Sequence, residues 1–125
     1  MALEDDTYCY CTLDSRMPFT EYLPYAVDMQ EKAKAQKRVS DDADGNELIF
    51  VSTLPWFSYT SLVQPVPLPA DSNPRITWGK YFRQDGEQWI PVTALCHHGL
   101  VDGLHIAGFY QNLEEQIKSM LQRIQ

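Results

Sequence analysis

The sequence is short of positive charge: 10 lysines and arginines stand against 17 aspartates and glutamates, a formal net charge of −7 over 125 residues. A nucleic-acid surface needs clustered Lys and Arg to neutralise phosphates, so this balance argues against one, and an anionic ligand would require a local basic spot. Cysteine is scarce too. Cys9, Cys11 and Cys96 form no CxxC pair and leave one thiol over if two join, which argues against a disulfide framework and for a reducing cytoplasm. Long apolar runs are missing as well. The opening MALEDDTYCYC has neither the basic start nor the apolar core of a signal peptide, and no stretch approaches a membrane span. The expectation is a cytoplasmic protein with no membrane and no nucleic-acid partner.

What remains is ordinary for a soluble globular chain, 44% hydrophobic and 22% charged, long enough for one domain over residues 1–125. Residues 7–13 alternate Tyr and Cys and predict a strand with Cys9 and Cys11 on one face and Tyr8 and Tyr10 on the other. Both faces are fairly apolar, as for a strand with neighbours on each side. After a turn, Tyr22, Ala26, Met29 and Ala33 recur at helical spacing, with Pro24 tolerable only near the first turn, so the regular helix is expected from about Pro24 to Arg38. An acidic loop follows at 41–46.

Residues 47–54 predict a second strand and 63–74, with prolines at 65, 67, 69 and 74, an extended surface connection. A hairpin is expected next: a strand over 76–82, a turn at Arg83-Gln84-Asp85-Gly86 and a return strand over 88–97. Residues 102–125 close the chain as an amphipathic helix whose stripe includes Leu104, Ala107, Leu113, Ile117, Met120 and Leu121, with Glu114, Glu115, Lys118 and Arg123 on the wet face. Helices with one apolar stripe and strands rich in β-branched and aromatic residues predict an α/β two-layer sandwich, a mixed sheet covered by helices.

Chemistry concentrates in Cys96-His97-His98-Gly99-Leu100-Val101-Asp102-Gly103-Leu104-His105, which leaves an apolar strand and opens the last helix. Adjacent strand residues point to opposite faces, so only one of His97 and His98 is expected to look into a site. Asp102 falls where a helix cap belongs. A metal site from Cys96, His98 and His105 is disfavoured, because the third lies on a helix away from the strand and no second Cys supports it.

Three blocks in order, Phe50-Val51-Ser52-Thr53-Leu54-Pro55-Trp56, Thr77-Trp78-Gly79-Lys80-Tyr81 and His97-His98-Gly99-Leu100-Val101-Asp102-Gly103, resemble the chloramphenicol acetyltransferase family with its HHxxxDG signature. The resemblance implies the C-terminal half of that coenzyme A-dependent acyltransferase fold, with the family's N-terminal portion lacking. It also implies acetyl transfer from acetyl-CoA to a small-molecule hydroxyl such as chloramphenicol's, in a homotrimer with active sites between subunits. His98 would be the general base, Ser52 the oxyanion-stabilising hydroxyl and Asp102 a structural support. Thr77 would hold the acceptor, Phe50 and Leu62 would bind it, and Lys80 and Tyr81 would lie along coenzyme A. A fragment without catalysis, and an acyltransferase with a thiol or another alcohol as acceptor, are the alternatives.

Overall fold

The computed structural model describes residues 9–35 and 47–124. The chain falls into two compact units, Met1–Asp44 and Gly45–Gln125. Thr7, Tyr8, the basic residues after Ala35 and the 41–46 loop lie outside the described residues.

In the first unit the expected strand is not formed over the part described. Residues 9–13 are not part of a strand, yet they keep a strand's period of two, with Cys9 buried, Cys11 and Leu13 half-buried, and Tyr10 and Thr12 exposed. Helix α1 spans Phe19–Lys34 and so begins earlier than its proline suggests. Pro18 takes the cap position, and its carbonyl accepts from the N–H groups of Glu21 and Tyr22 at 3.0 and 2.9 Å. Pro24 sits in the second turn, where its ring removes only the donor to the Thr20 carbonyl. The Tyr25 hydroxyl, next along, accepts from the backbone N–H of Asp14 at 3.2 Å and ties the lead-in segment to this turn. The inward stripe is the one the spacing predicts: Ala26 and Ala33 are buried, Tyr22 and Met29 half-buried.

The second unit is built on a three-stranded mixed sheet in the order β1-β2-β5, with β1 at Phe50–Leu54, β2 at Arg75–Gly79 and β5 at Val92–Leu95. β1 runs parallel to β2 and β5 antiparallel to it. A separate ribbon pairs β3, Phe82–Gln84, with β4, Glu87–Trp89. The expected hairpin therefore exists, but each arm breaks midway. Pro91 has no N–H to give a ladder, and its carbonyl instead accepts from Gly79 N–H at 3.0 Å. Beyond that point Lys80 N–H turns to the Phe57 carbonyl at 2.9 Å. The tip is a two-residue loop with Asp85 at φ 52° and Gly86 at φ 84°, the left-handed pair of a type I′ turn.

After β1 the chain doubles back over β2. Tyr59 packs where a side chain on Gly79 would point, Gln64 meets Thr77, and Asp71 meets Arg75. This order is the reverse of β2's own, so the 55–74 connection runs antiparallel along the face that carries the odd-numbered residues of β2. Its outward residues are bare: Val63 is 94% exposed and Leu68 92%. Gly79 is required by the close approach, since a Cβ there would stand 2.9 Å from the Tyr59 ring and 3.0 Å from the Phe57 carbonyl oxygen.

Helix α2 spans Gly103–Ile124. Its stripe is covered only in part: Ile106, Phe109, Leu113 and Met120 are half-buried, while Leu104, Ile117 and Leu121 are exposed. Its firmest tie to the sheet is polar. The Tyr110 hydroxyl accepts from Ala94 N–H at 3.2 Å and donates to the Val92 carbonyl at 3.0 Å, filling the outer edge of β5 as a neighbouring strand's backbone would. Among the described residues no helix is long and apolar enough to cross a membrane.

Candidate active site

The β1–β2–β5 register places three hydroxyl residues in one cross-strand row, because Ser52 pairs with Thr77 and Thr77 with Thr93. Ser52 is exposed. Thr77 is not: at 2% exposure it is the largest fully buried side chain described, held beneath the Gln64 carboxamide, whose Nε2 donates to Thr77 Oγ1. On the same connection, the Tyr59 hydroxyl donates to the Thr77 carbonyl at 2.8 Å.

Past β5 the backbone does not continue extended. It folds into a turn in which Leu100 and Val101 N–H both bond to the His97 carbonyl, at 2.9 and 3.1 Å. The two histidines therefore leave the strand before alternation can sort them. What separates them is bonding: His97 Nδ1 accepts from Gly99 N–H at 3.1 Å, and His98 has no hydrogen-bond partner among the described residues. Both histidines, both exposed, line a cleft of about 330 Å³ together with Cys96, Asp71, Asn73 and Arg75.

Arg75 and Asp71 form the cleft's polar floor through a two-pronged contact, Nη1 to Oδ1 at 2.8 Å and Nη2 to Oδ2 at 2.6 Å. That guanidinium holds the Asp71 carboxyl below its usual range. It also lies 5.3 Å over the ring of Phe50, its neighbour in the β1–β2 register. Leu62 is half-buried in the connection that covers this face.

Asp102 caps α2. Its Oδ1 accepts from the N–H groups of Leu104 and His105 at 3.0 and 3.2 Å, and the His105 ring reaches back to put Nδ1 2.7 Å from the same oxygen. The Asp102 backbone N–H donates to His105 Nδ1 at 3.3 Å, which completes a capping box with histidine in the place usually taken by Glu or Gln. The His105 backbone N–H, first among these contacts, lowers the Asp102 pKa. His105 is thereby engaged with the cap.

Lys80 and Tyr81 stand exposed at the break between β2 and β3. Trp89 pairs with Phe82 in the ribbon, which leaves Tyr81 outside any aromatic ladder. Within one chain these residues do not meet the histidines. Lys80 follows the Gly79 end of β2, and the histidine turn adjoins the opposite end, where Arg75 pairs with Leu95. A five-residue strand separates the two by roughly 13 Å at ~3.3 Å per residue. Ser52 and Thr77 fall between, and neither lines the histidine cleft.

Two contributors escape a reading of the sequence alone. Gln64 is the lone polar residue in Leu62-Val63-Gln64-Pro65-Val66, and a carboxamide in an apolar, proline-flanked run is the signal that marks it. Asp71 and Arg75 are oppositely charged and bracket Ser72-Asn73-Pro74, a turn-forming stretch that brings them together.

The family model described as chloramphenicol acetyltransferase matches residues 3–114. The chain belongs to this family. It is 28% identical over 95 residues to a chloramphenicol acetyltransferase of Clostridium perfringens, covering 75% of this chain and 43% of that one. It is 26% identical over 104 residues to one of Vibrio anguillarum, covering 82% and 48%. A solved chloramphenicol acetyltransferase superposes with a TM-score of 0.72 at 20% identity, over 90% of this chain and 56% of that one, so the fold is shared. The chain spans about half the length of the curated relatives it matches.

Proposed function

We propose that this chain carries the catalytic half of an acetyltransferase that moves the acetyl group of acetyl-CoA to a hydroxyl of a small molecule such as chloramphenicol, in the cytoplasm. The observation that carries the reading is the register pairing of Ser52 with Thr77, which joins two of the three family blocks in one row while the third block holds an unengaged His98. The family match runs through both compact units, which supports one family domain over the whole chain.

An alcohol is too weak an acid to ionise at neutral pH, whereas imidazole titrates near 6.5 and accepts a proton in the transition state. The His98 ring takes the proton of the acceptor hydroxyl as its oxygen bonds to the thioester carbonyl carbon. The resulting oxyanion is met by the Ser52 hydroxyl. Collapse of this tetrahedral species breaks the carbon–sulfur bond, and the coenzyme A thiolate receives the proton from the imidazolium. Asp102 shapes the turn and relays no proton. Tyr81 offers an aromatic face for adenine and Lys80 an ammonium for a phosphate, while Phe50 and Leu62 line the acceptor side.

The separation of Lys80, Ser52 and His98 along β2 supports a site assembled between copies, in a homotrimer where His98 of one subunit faces Ser52 and Thr77 of the next. The test is acetyl transfer from acetyl-CoA to chloramphenicol, followed by thiol release. Acceptor-dependent release bears out the reading, and its absence at any protein concentration overturns it.

A further inference from the structure

Cys9 and Cys11 are thiols joined in no disulfide, and the acyl-transfer chemistry uses neither. They belong to the first unit, whereas the remaining thiol, Cys96, belongs to the second. One residue separates the pair, and the burial pattern of 9–13 turns both to the same inner side: Cys9 is 3% exposed and Cys11 half-buried, with Tyr10 between them exposed. The two sulfurs are close enough to interact, since burial first and the Cys9 sulfur second push the Cys11 thiol upward.

Same-side residues of a period-two segment stand roughly 6.6 Å apart at Cα, two steps of ~3.3 Å. A disulfide usually brings its Cα atoms to about 5.5–6 Å and its sulfurs to about 2.05 Å, so this spacing lies near the long end for one. A cation held between two thiolates asks for sulfurs only about 4.6 Å apart, twice a metal–sulfur bond of ~2.3 Å, a span that two side chains leaning toward each other cover from this backbone. Structural zinc takes four ligands, and among the described residues His, Cys, Asp and Glu form no group of three that could hold a metal. Two thiolates suit a soft ion of low coordination number, because sulfur ligands select Cu(I).

We infer that Cys9 and Cys11 form a dithiol site for a soft monovalent cation of the Cu(I) class, bound between the two sulfurs. Each sulfur gives up its proton as the ion enters, so two thiols and one Cu(I) become one bis-thiolate complex and two protons, with no change of oxidation state. The ion enters past Cys11, the less buried of the two. The site does not rest on the acyl-transfer reading.

The test titrates the whole chain, reduced and kept from oxygen, with Cu(I) supplied as its bicinchoninate complex, and follows the loss of that complex's colour. The wild type and Cys96→Ser are expected to take up one equivalent each, with a thiolate-to-copper band in the ultraviolet and two sulfur neighbours per ion by X-ray absorption. Cys11→Ser should weaken uptake by on the order of 100-fold or more, since changes merely behind a metal ligand already cost ~10–100-fold. Cys9→Ser should do the same, and where its circular dichroism shows that this buried substitution has not folded, Cys11→Ser at the less buried position decides. Acid should weaken wild-type uptake, because protons compete for both sulfurs. No uptake by the wild type, uptake that Cys11→Ser leaves intact, uptake abolished by Cys96→Ser, or copper neighbours other than two sulfurs overturns the site.

Discussion

His97 Nδ1 accepts a hydrogen bond from the backbone N–H of Gly99 at 3.1 Å, so the first histidine of the pair is part of the turn that presents the second. This assigns the two rings different work without appeal to strand alternation. His98→Ala is expected to lower turnover by ~10²-fold to ~10⁴-fold with coenzyme A binding kept, and Ser52→Ala by ~10²-fold. His97→Ala removes an acceptor for the turn and should cost much less, with Asn at 97 recovering most of the loss. Steady-state kinetics on the three variants decide it; abolition by His97→Ala beside a near-normal His98→Ala would reverse the roles.

Gly79→Ala should destabilise the second unit by ~1–3 kcal/mol, because the new methyl would meet the Tyr59 ring at 2.9 Å and the Phe57 carbonyl oxygen at 3.0 Å. Neither neighbour can step aside freely, since the Tyr59 hydroxyl is bonded to the Thr77 carbonyl and the Phe57 oxygen to Lys80 N–H. A lower urea midpoint at unchanged slope is the expected signature. An unchanged midpoint would mean that the connection does not lie on β2 as described.

Much of this was legible beforehand, and the failures share a cause. The inward stripe of α1, the Asp85-Gly86 turn, the strand at Phe50–Leu54 and the cap at Asp102 each follow from residues within a few positions of one another. The misread features depend on distant partners. The hairpin arms break where Pro91 and Phe57 redirect hydrogen bonds, and His97 leaves the strand because its own carbonyl collects two N–H groups. Motif order proposes Ser52 and Thr77 for the site, but only the register shows that they are neighbours, and only burial and the Gln64 bond show that Gln64 covers one of them.

Tyr110→Phe should expose the outer edge of β5. The lost hydroxyl serves both Ala94 N–H and the Val92 carbonyl, each of which can turn to water, so the cost is about 1 kcal/mol. Amide hydrogen exchange is the sharper readout: Ala94 N–H should lose protection in the variant while Thr77 N–H, on the central strand, keeps its own. Equal protection of Ala94 in both proteins would contradict the edge role.

The Asp102 cap makes the start of α2 sensitive to acid. Its folded pKa is lowered, chiefly by the His105 backbone N–H, so its stabilisation is fully present above the unfolded value of about 3.9 and is lost as pH falls through the folded one. Amide signals of Leu104 and His105 should lose dispersion in that acid window before those of Leu113. Asp102→Asn, which keeps a capping oxygen, should remove this pH dependence while leaving the helix start formed at neutral pH. A helix start that titrates identically in the Asn variant would show that another group controls it.

The central claim, that one chain supplies His98 and its neighbour supplies Ser52, is tested most directly by mixing two inactive variants. His98→Ala and Ser52→Ala proteins, co-refolded so that mass spectrometry shows mixed assemblies, should regain acetyl transfer to roughly a quarter of wild-type level, since random pairing leaves that fraction of interfaces intact. Mixed assemblies that remain as inactive as either variant alone would contradict it.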